Sequence, residues 1–329
     1  MLHQLLRLWL GRIAGYVVVG AGLVLLLHLP GGVYYEVAGQ VEVGGQTIDQ
    51  LTIAFSSDLF WSEVREFGNQ VRSGSLPYHG PNSELSAPPE DFVPRLKTSW
   101  RNTLLLLGYS AGTGTVLGVL LGALYAVRSR IPRVLGLIAA TLGLSLPDFL
   151  VVMAGQALSV WHWRKFDINL WQVVADPYTL KGMILPVLAL AAFPMGYMAR
   201  ITGAALDEIM LEDYIRTARA KGLPEARVIL AHAFKNAVPK VLAGLPSLVS
   251  FTLSSLVIVE RLTVWPGMAG LIFTVPTRLP FGPSAGTWGD ITPQVVSAAC
   301  LIFLAFFVLL EGLAQTVRLL FRGIEGVAP

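Results

Sequence analysis

From Pro293 to Val317 the chain carries a single charged side chain, Glu311, in a run long enough as a helix to cross the hydrocarbon core of a bilayer. Lipid offers no hydrogen bonds, so a segment crossing it must satisfy its own backbone, and an α-helix does so within one stretch of chain. Comparable apolar runs lie at about Ile13–Leu29, Asn102–Val127, Val134–Trp161, Gly182–Ala199 and Val241–Val259, which makes six predicted spans. Only 14% of the 329 residues are charged, where a soluble domain carries about a quarter. Such a chain cannot cover its surface with polar groups unless lipid takes up much of it. The expected class is an all-α polytopic membrane protein with about six transmembrane helices.

The basic residues then set its orientation, because retained positive charge stays cytoplasmic. One side of the membrane collects Arg7 and Arg12, Arg128, Arg130 and Arg133, the seven Lys/Arg between Arg200 and Lys240, and Arg318 and Arg322. The other side collects the Gly31–Trp100 region, where nine acids outnumber four bases. Both termini are therefore expected in the cytoplasm. The first run has the charge pattern of a signal peptide, but Pro30-Gly31-Gly32 is no small-x-small cleavage site, so an uncleaved span is expected. The predicted organisation is an N-terminal helix over 1–30, an extracytoplasmic region over 31–100, and a core over 101–329 holding a cytoplasmic loop at 200–240. Within 31–100, YYEVAGQVEVGGQTIDQLTI predicts short strands. DLFWSEVREFGNQV predicts an amphipathic helix capped by Asp58, and Ser75–Asp91 predicts a loop.

Several chemistries are excluded. A net charge of +3 with no basic stripe argues against nucleic acid. Cys300 is the single cysteine and the five histidines are dispersed, so neither a disulfide nor a metal site is expected. No G-x-x-x-x-G-K-[ST] phosphate loop occurs; any ATPase driving this protein is a separate chain.

Small residues recur every fourth position at Ser110, Gly114, Gly118, Gly122 and Ala126, a spacing that predicts close packing of one helix against another. Gly108-Tyr109-Ser110-Ala111-Gly112 also matches the nucleophile-elbow pattern, which would suit an intramembrane serine protease using Ser110. That elbow needs a strand–turn–helix setting and a histidine, and here the serine belongs to the packing stripe. An ion-driven secondary transporter is the third class. It calls for internal repeats and intramembrane charges, and this chain shows no repeat and few charges beyond Asp148, Glu260 and Glu311. Pro147, Pro186, Pro194 and Pro246 predict bent or broken spans, tolerable where neighbours or water satisfy the freed carbonyls.

The stretch Tyr214–Ala237, YIRTARAKGLPEARVILAHAFKNA, sets five Lys/Arg against one acid and breaks at Gly222-Leu223-Pro224. Asp207-Glu208 and Glu212-Asp213 are expected to begin a first short helix, where acids complement the dipole. Gly222 would end it and Pro224 would start the next. Ala218 and Ala220 would keep a surface small enough to enter a partner's groove, with Arg219, Lys221 and Arg227 free to meet its acids.

This stretch resembles the coupling loop, or EAA motif, of ABC importer permeases, with Arg216-Thr217-Ala218 and Gly222 at the motif positions. DYIRTARAKGL followed by HAFKNAVPKVL is close to the oligopeptide-, dipeptide- and nickel-type permeases, and Val259–Met268, VERLTVWPGM, resembles that family's VET-x-F-x-WPG segment. The resemblance covers essentially the whole chain, with Arg261 standing where the family commonly has Thr. It implies a type I ABC importer transmembrane domain in the cell membrane, serving transport of peptides. It also implies a homologous second permease, two cytoplasmic ATPase subunits holding ATP and Mg, and an extracytoplasmic solute-binding protein. No catalytic residue, metal or cofactor is expected in this chain. The resemblance assigns coupling to the ATPase to Asp213, Tyr214, Arg216, Thr217, Ala218, Arg219, Ala220, Lys221 and Gly222. Glu260, Trp265, Pro266 and Gly267 become candidates for the translocation path or its gate.

Overall fold

The computed structural model describes residues 2–43, 46–78, 90–125, 130–272 and 293–325. In chain order the elements are α1 (Leu2–His28), a 3-10 turn (Leu29–Gly32), β1 (Val33–Val43), β2 (Gln46–Phe55), α2 (Ser57–Ser73), β3 (Pro77–Tyr78), β4 (Glu90–Asp91) and α3 (Phe92–Tyr125). There follow α4 (Arg130–Ser145), α5 (Asp148–Phe166), α6 (Leu180–Ile209), α7 (Asp213–Ala220), α8 (Glu225–Arg227), a π-helical segment (Val228–Ala233), α9 (Phe234–Leu242), α10 (Leu245–Leu262), α11 (Met268–Ile272) and α12 (Pro293–Glu325). Among the described residues, five helices are long and apolar enough to cross a membrane, in α1, α3, α6, α10 and α12. The pair α4–α5 makes a sixth if counted as one bent span. The predicted Val134–Trp161 span is thus two helices meeting at 101°. The break falls at Leu146-Pro147, where proline biases the preceding residue away from helical dihedrals. α6, by contrast, runs unbroken through Pro186 and Pro194, and Pro246 sits in the first turn of α10, where its missing N–H costs nothing. The predicted Val241–Val259 span is divided as well, since α9 ends at Leu242 and α10 begins at Leu245.

The chain forms two compact units, one of Met1–Arg12, Thr98–Gly270 and Phe306–Pro329, the other of Ile13–Lys97 and Leu271–Ala305. In the first, α6 is the axis: α4, α5, α9 and α10 all pack on it. α3 joins through the glycine stripe. A Cβ on Gly114 would run into the Ala191 carbonyl and Pro194, one on Gly118 into Met195 and Met198, and one on Gly122 into Ala199 and Thr202. Both helices advance by about one turn per contact, so the two backbones touch along a shared seam. On α4, Gly143 meets Gly196 of α6 in the same manner. Ser110 lies on the α3 stripe, fully buried, and no hydrogen bond reaches its hydroxyl among the described residues. Among the described residues no base reaches it, and the elbow reading falls. Ala126 lies outside the described residues. Elsewhere in this unit Arg12 of α1 pairs with Glu311 of α12 at 2.9 Å, and Trp9 covers Gly312.

In the second unit β1 and β2 form an antiparallel hairpin running from Val33 opposite Phe55 to Val43 opposite Gln46. α2 is capped by Ser56, whose hydroxyl accepts from the Leu59 N–H, so Asp58 falls in the first turn instead of the predicted cap. Phe60 and Phe67 form its buried face, and the His28 ring lies 5.0 Å from Phe67. Of the predicted loop Ser75–Asp91, the ends pair as β3 and β4, and residues 79–89 lie outside the described residues.

The seam predicts a graded response. Gly118→Val should lower the melting temperature of the detergent-solubilised protein, corresponding to about 1–3 kcal/mol of overpacking. Gly112→Ala, where a Cβ meets nothing within 4 Å, should leave it unchanged or raised.

Candidate functional site

α6 extends past the predicted end of its span to Ile209, because nothing between Ala199 and Ile209 breaks the helix. Asp207 and Glu208 therefore close α6 and do not open the next helix as expected. Acids at a helix C-terminus oppose the dipole, and cations from two other elements meet them. Arg133 approaches Asp207 at 3.0 Å and Lys240 approaches Glu208 at 2.7 Å. The chain turns at Met210–Glu212 and restarts as α7. Glu212 occupies the N-cap position and its carbonyl accepts from the Ile215 and Arg216 N–H groups.

α7 has two faces. Ile215 and Ala218 point inward onto a core shared with Leu206 and Ile209 of α6, Val228 and Ala233 of the π segment, and Ala237 of α9. Ala218 thus packs against its own chain and does not supply the small partner-facing surface expected of it. Asp213, Tyr214, Arg216, Thr217, Ala220, Lys221 and Gly222 are exposed. Thr217, Ala220 and Gly222 give that outer face its low relief. Arg219, expected to meet a partner, is committed internally, donating to the two Glu225 carboxylate oxygens at 2.7 and 3.3 Å. Arg216 pairs with Asp213 at 3.2 Å. The Tyr214 hydroxyl accepts from the Asn236 amide of α9 at 2.8 Å.

Gly222 forms the corner with φ +76°, a conformation costly for residues with a Cβ, and the space around it is open. Pro224 occupies the N-cap of α8, one residue earlier than predicted, its carbonyl accepting from the Arg227 and Val228 N–H groups. The six residues Val228–Ala233 then wind as a π-helix, a form frequent at functional sites. The pairings made by Glu225, Asn236, Glu208 and Lys240 escape the sequence reading because each joins residues outside ordinary helical spacing.

The second candidate cluster surrounds Glu260, 1% exposed. Its carboxylate accepts from the Thr103 hydroxyl of α3 and, at 2.8 Å, from the Ala269 N–H of α11. Thr103 accepts in turn from the Met268 N–H at 2.8 Å. Asn102 donates to the Pro266 carbonyl at 2.9 Å, and the Trp265 indole donates to the Asn102 carbonyl at 3.1 Å. A Cβ on Gly267 would overlap the Glu260 carboxylate, which explains the glycine of the Trp-Pro-Gly turn. Here Glu260, Trp265 and Gly267 are buried in helix packing, and Pro266 alone of the four path candidates is exposed. α10 ends in a Schellman motif: the Trp265 N–H reaches the Glu260 carbonyl at 2.8 Å and the Val264 N–H reaches Arg261 at 3.4 Å. Its left-handed residue is Val264, φ 56°, a β-branched side chain where glycine is usual.

Glu260→Ala strands two buried donors and should cost about 2–4 kcal/mol, whereas Glu260→Gln, whose oxygen still accepts from the Ala269 N–H while its amide donates to the Thr103 oxygen, should cost less, about 1 kcal/mol. Val264→Gly should stabilise by about 1 kcal/mol by removing the left-handed strain. Thermal unfolding in detergent reads all three.

A model of the binding-protein-dependent transport system inner membrane component family matches residues 114–318. The glutathione transport system permease protein GsiC of Salmonella typhimurium is 30% identical over 280 residues, covering 83% of this chain and 86% of that protein. The dipeptide transport system permease protein DppB of Bacillus subtilis is 37% identical over 130 residues, 39% of this chain and 40% of that protein. A solved structure described as an amino acid ABC transporter with histidines aligns with 14% identity and a TM-score of 0.46, over 68% of this chain and 93% of that chain. The matched region contains the glycine seam from Gly114, the α7 corner and Glu260. The chain therefore belongs to the binding-protein-dependent transport system inner membrane component family and is a multi-pass membrane permease.

Proposed function

We propose that this chain is one of two homologous permease subunits of an ATP-driven importer of short peptides. It would form half of the translocation path and carry no catalytic site of its own. The observation that carries the coupling part of this reading is the α7 corner. An exposed, low-relief helix is fixed through Ile215 and Ala218 to the end of α6, the most buried of the candidate spans, so force applied to α7 is passed directly to α6. In this reading α7–α9 and both termini face the cytoplasm, where two ATPase subunits with ATP and Mg grip the corner. An extracytoplasmic solute-binding protein delivers substrate from the other side of the membrane. The peptide assignment is supported by relatives named for glutathione and dipeptide transport.

Gly222→Asp is the cleaner test of coupling, because the position is open and aspartate tolerates left-handed backbone better than most residues. The variant should insert and melt as wild type while uptake of labelled dipeptide into proteoliposomes, made with the partner subunits, falls at least tenfold. Wild-type uptake would refute the coupling assignment. Ala218→Glu should instead lower the melting temperature, since it places a charge in a closed core. For orientation, in a Cys300→Ser background, Lys235→Cys should react with a membrane-impermeant maleimide only after permeabilisation. Asp58→Cys should react in intact spheroplasts.

A further inference from the structure

The charges around the α7–α9 segment divide into spent and unspent. Asp207, Glu208, Asp213 and Glu225 each hold a cation of the same chain, namely Arg133, Lys240, Arg216 and Arg219. Lys221 and Arg227 are exposed, and among the described residues neither side chain has an ion pair or hydrogen bond. They stand on either side of the Gly222 corner, one at the end of α7 and the other at the end of α8. The tie between Arg219 and Glu225 spans the same corner. Arg219 thus neutralises the acid closest in sequence to the corner, and Lys221 and Arg227 are the unpaired charges that flank Gly222 in the chain.

Resting on the coupling reading above, we propose that Lys221 and Arg227 are the electrostatic contacts of the corner. The ATPase face that receives it presents carboxylates to these two residues, with Arg219 acting as an internal strut and not as a contact. A low-relief centre permits close backbone approach, and the two flanking cations supply orientation and encounter rate. Lys235 is also exposed and unpaired but lies on α9, away in sequence from the corner; it serves as the control.

The test uses the full chain co-expressed with affinity-tagged ATPase subunits of the same transport system, purified in neutral detergent at roughly physiological salt, where screening over about 8 Å leaves contact pairs intact. The double variant Lys221→Glu/Arg227→Glu should reduce co-purified ATPase at least tenfold. Lys221→Arg/Arg227→Lys and Lys235→Glu should each retain it within twofold. The wild-type complex should dissociate progressively as salt is raised. Equal loss with Lys235→Glu would mark a diffuse charge effect and overturn the proposal. So would undiminished ATPase binding by the double reversal, and so would wild-type ATPase binding in nanodiscs that depends on phosphatidylglycerol, which would assign the two cations to lipid headgroups. Gly222→Asp separates the two levels: if it releases the ATPase while the double reversal does not, the charge assignment fails and the coupling reading stands. If neither releases it, both fail.

Discussion

The contact of the α3 and α6 backbones across Gly114, Gly118 and Gly122 is the constraint on which the larger unit depends. Between helices already in lipid there is little hydrophobic gain from association, since the acyl chains are as apolar as leucine. What remains is dispersion, and it grows steeply as surfaces close. Glycine on one helix facing the carbonyls of Ala191, Met195 and Ala199 on the other brings two backbones into direct contact. Gly143 against Gly196 repeats the device on another side of α6. Held on two sides at backbone distance, α6 has little freedom to bend, although it contains two prolines.

That stiffness reaches the far end of the helix. Leu206 and Ile209 supply the floor on which Ile215 and Ala218 sit, so the corner at Gly222 is carried by the same rod that the glycine seams hold. At α10 a different chemistry does similar work. Glu260 fastens the turn after its own helix to Thr103 of α3. A buried carboxylate with satisfied partners on two elements specifies their register more sharply than apolar contact can.

The parts of this architecture that depend on local periodicity were legible in the sequence. The apolar runs, the four-residue recurrence at Ser110–Gly122, the corner at Gly222 and the bend at Pro147 each follow from spacing or from one residue's stereochemistry. Most of the misreadings share a cause, which is that the deciding partner lies outside helical spacing. Asp207 and Glu208 read as a helix start until Arg133 and Lys240 are seen to stabilise them at a helix end. Arg219 reads as a free cation until the chain folds back at Gly222 and delivers Glu225. For Ala218 the signal is local. Its three-residue spacing from Ile215 marks the buried face and could have been used. The π winding at Val228–Ala233 and the left-handed Val264 have no compositional signature.

The ion pair between Arg12 and Glu311 has a consequence in time as well as in space. The partners are separated by 299 positions, so when α1 enters the membrane its arginine has no carboxylate to meet. It must be held by water or lipid phosphates throughout synthesis of everything between. The bond forms only once α12 has been delivered. Its closure therefore records that the chain has been made and inserted as far as α12, and a nascent chain stalled before α12 keeps an unneutralised cation on its first helix for as long as it waits.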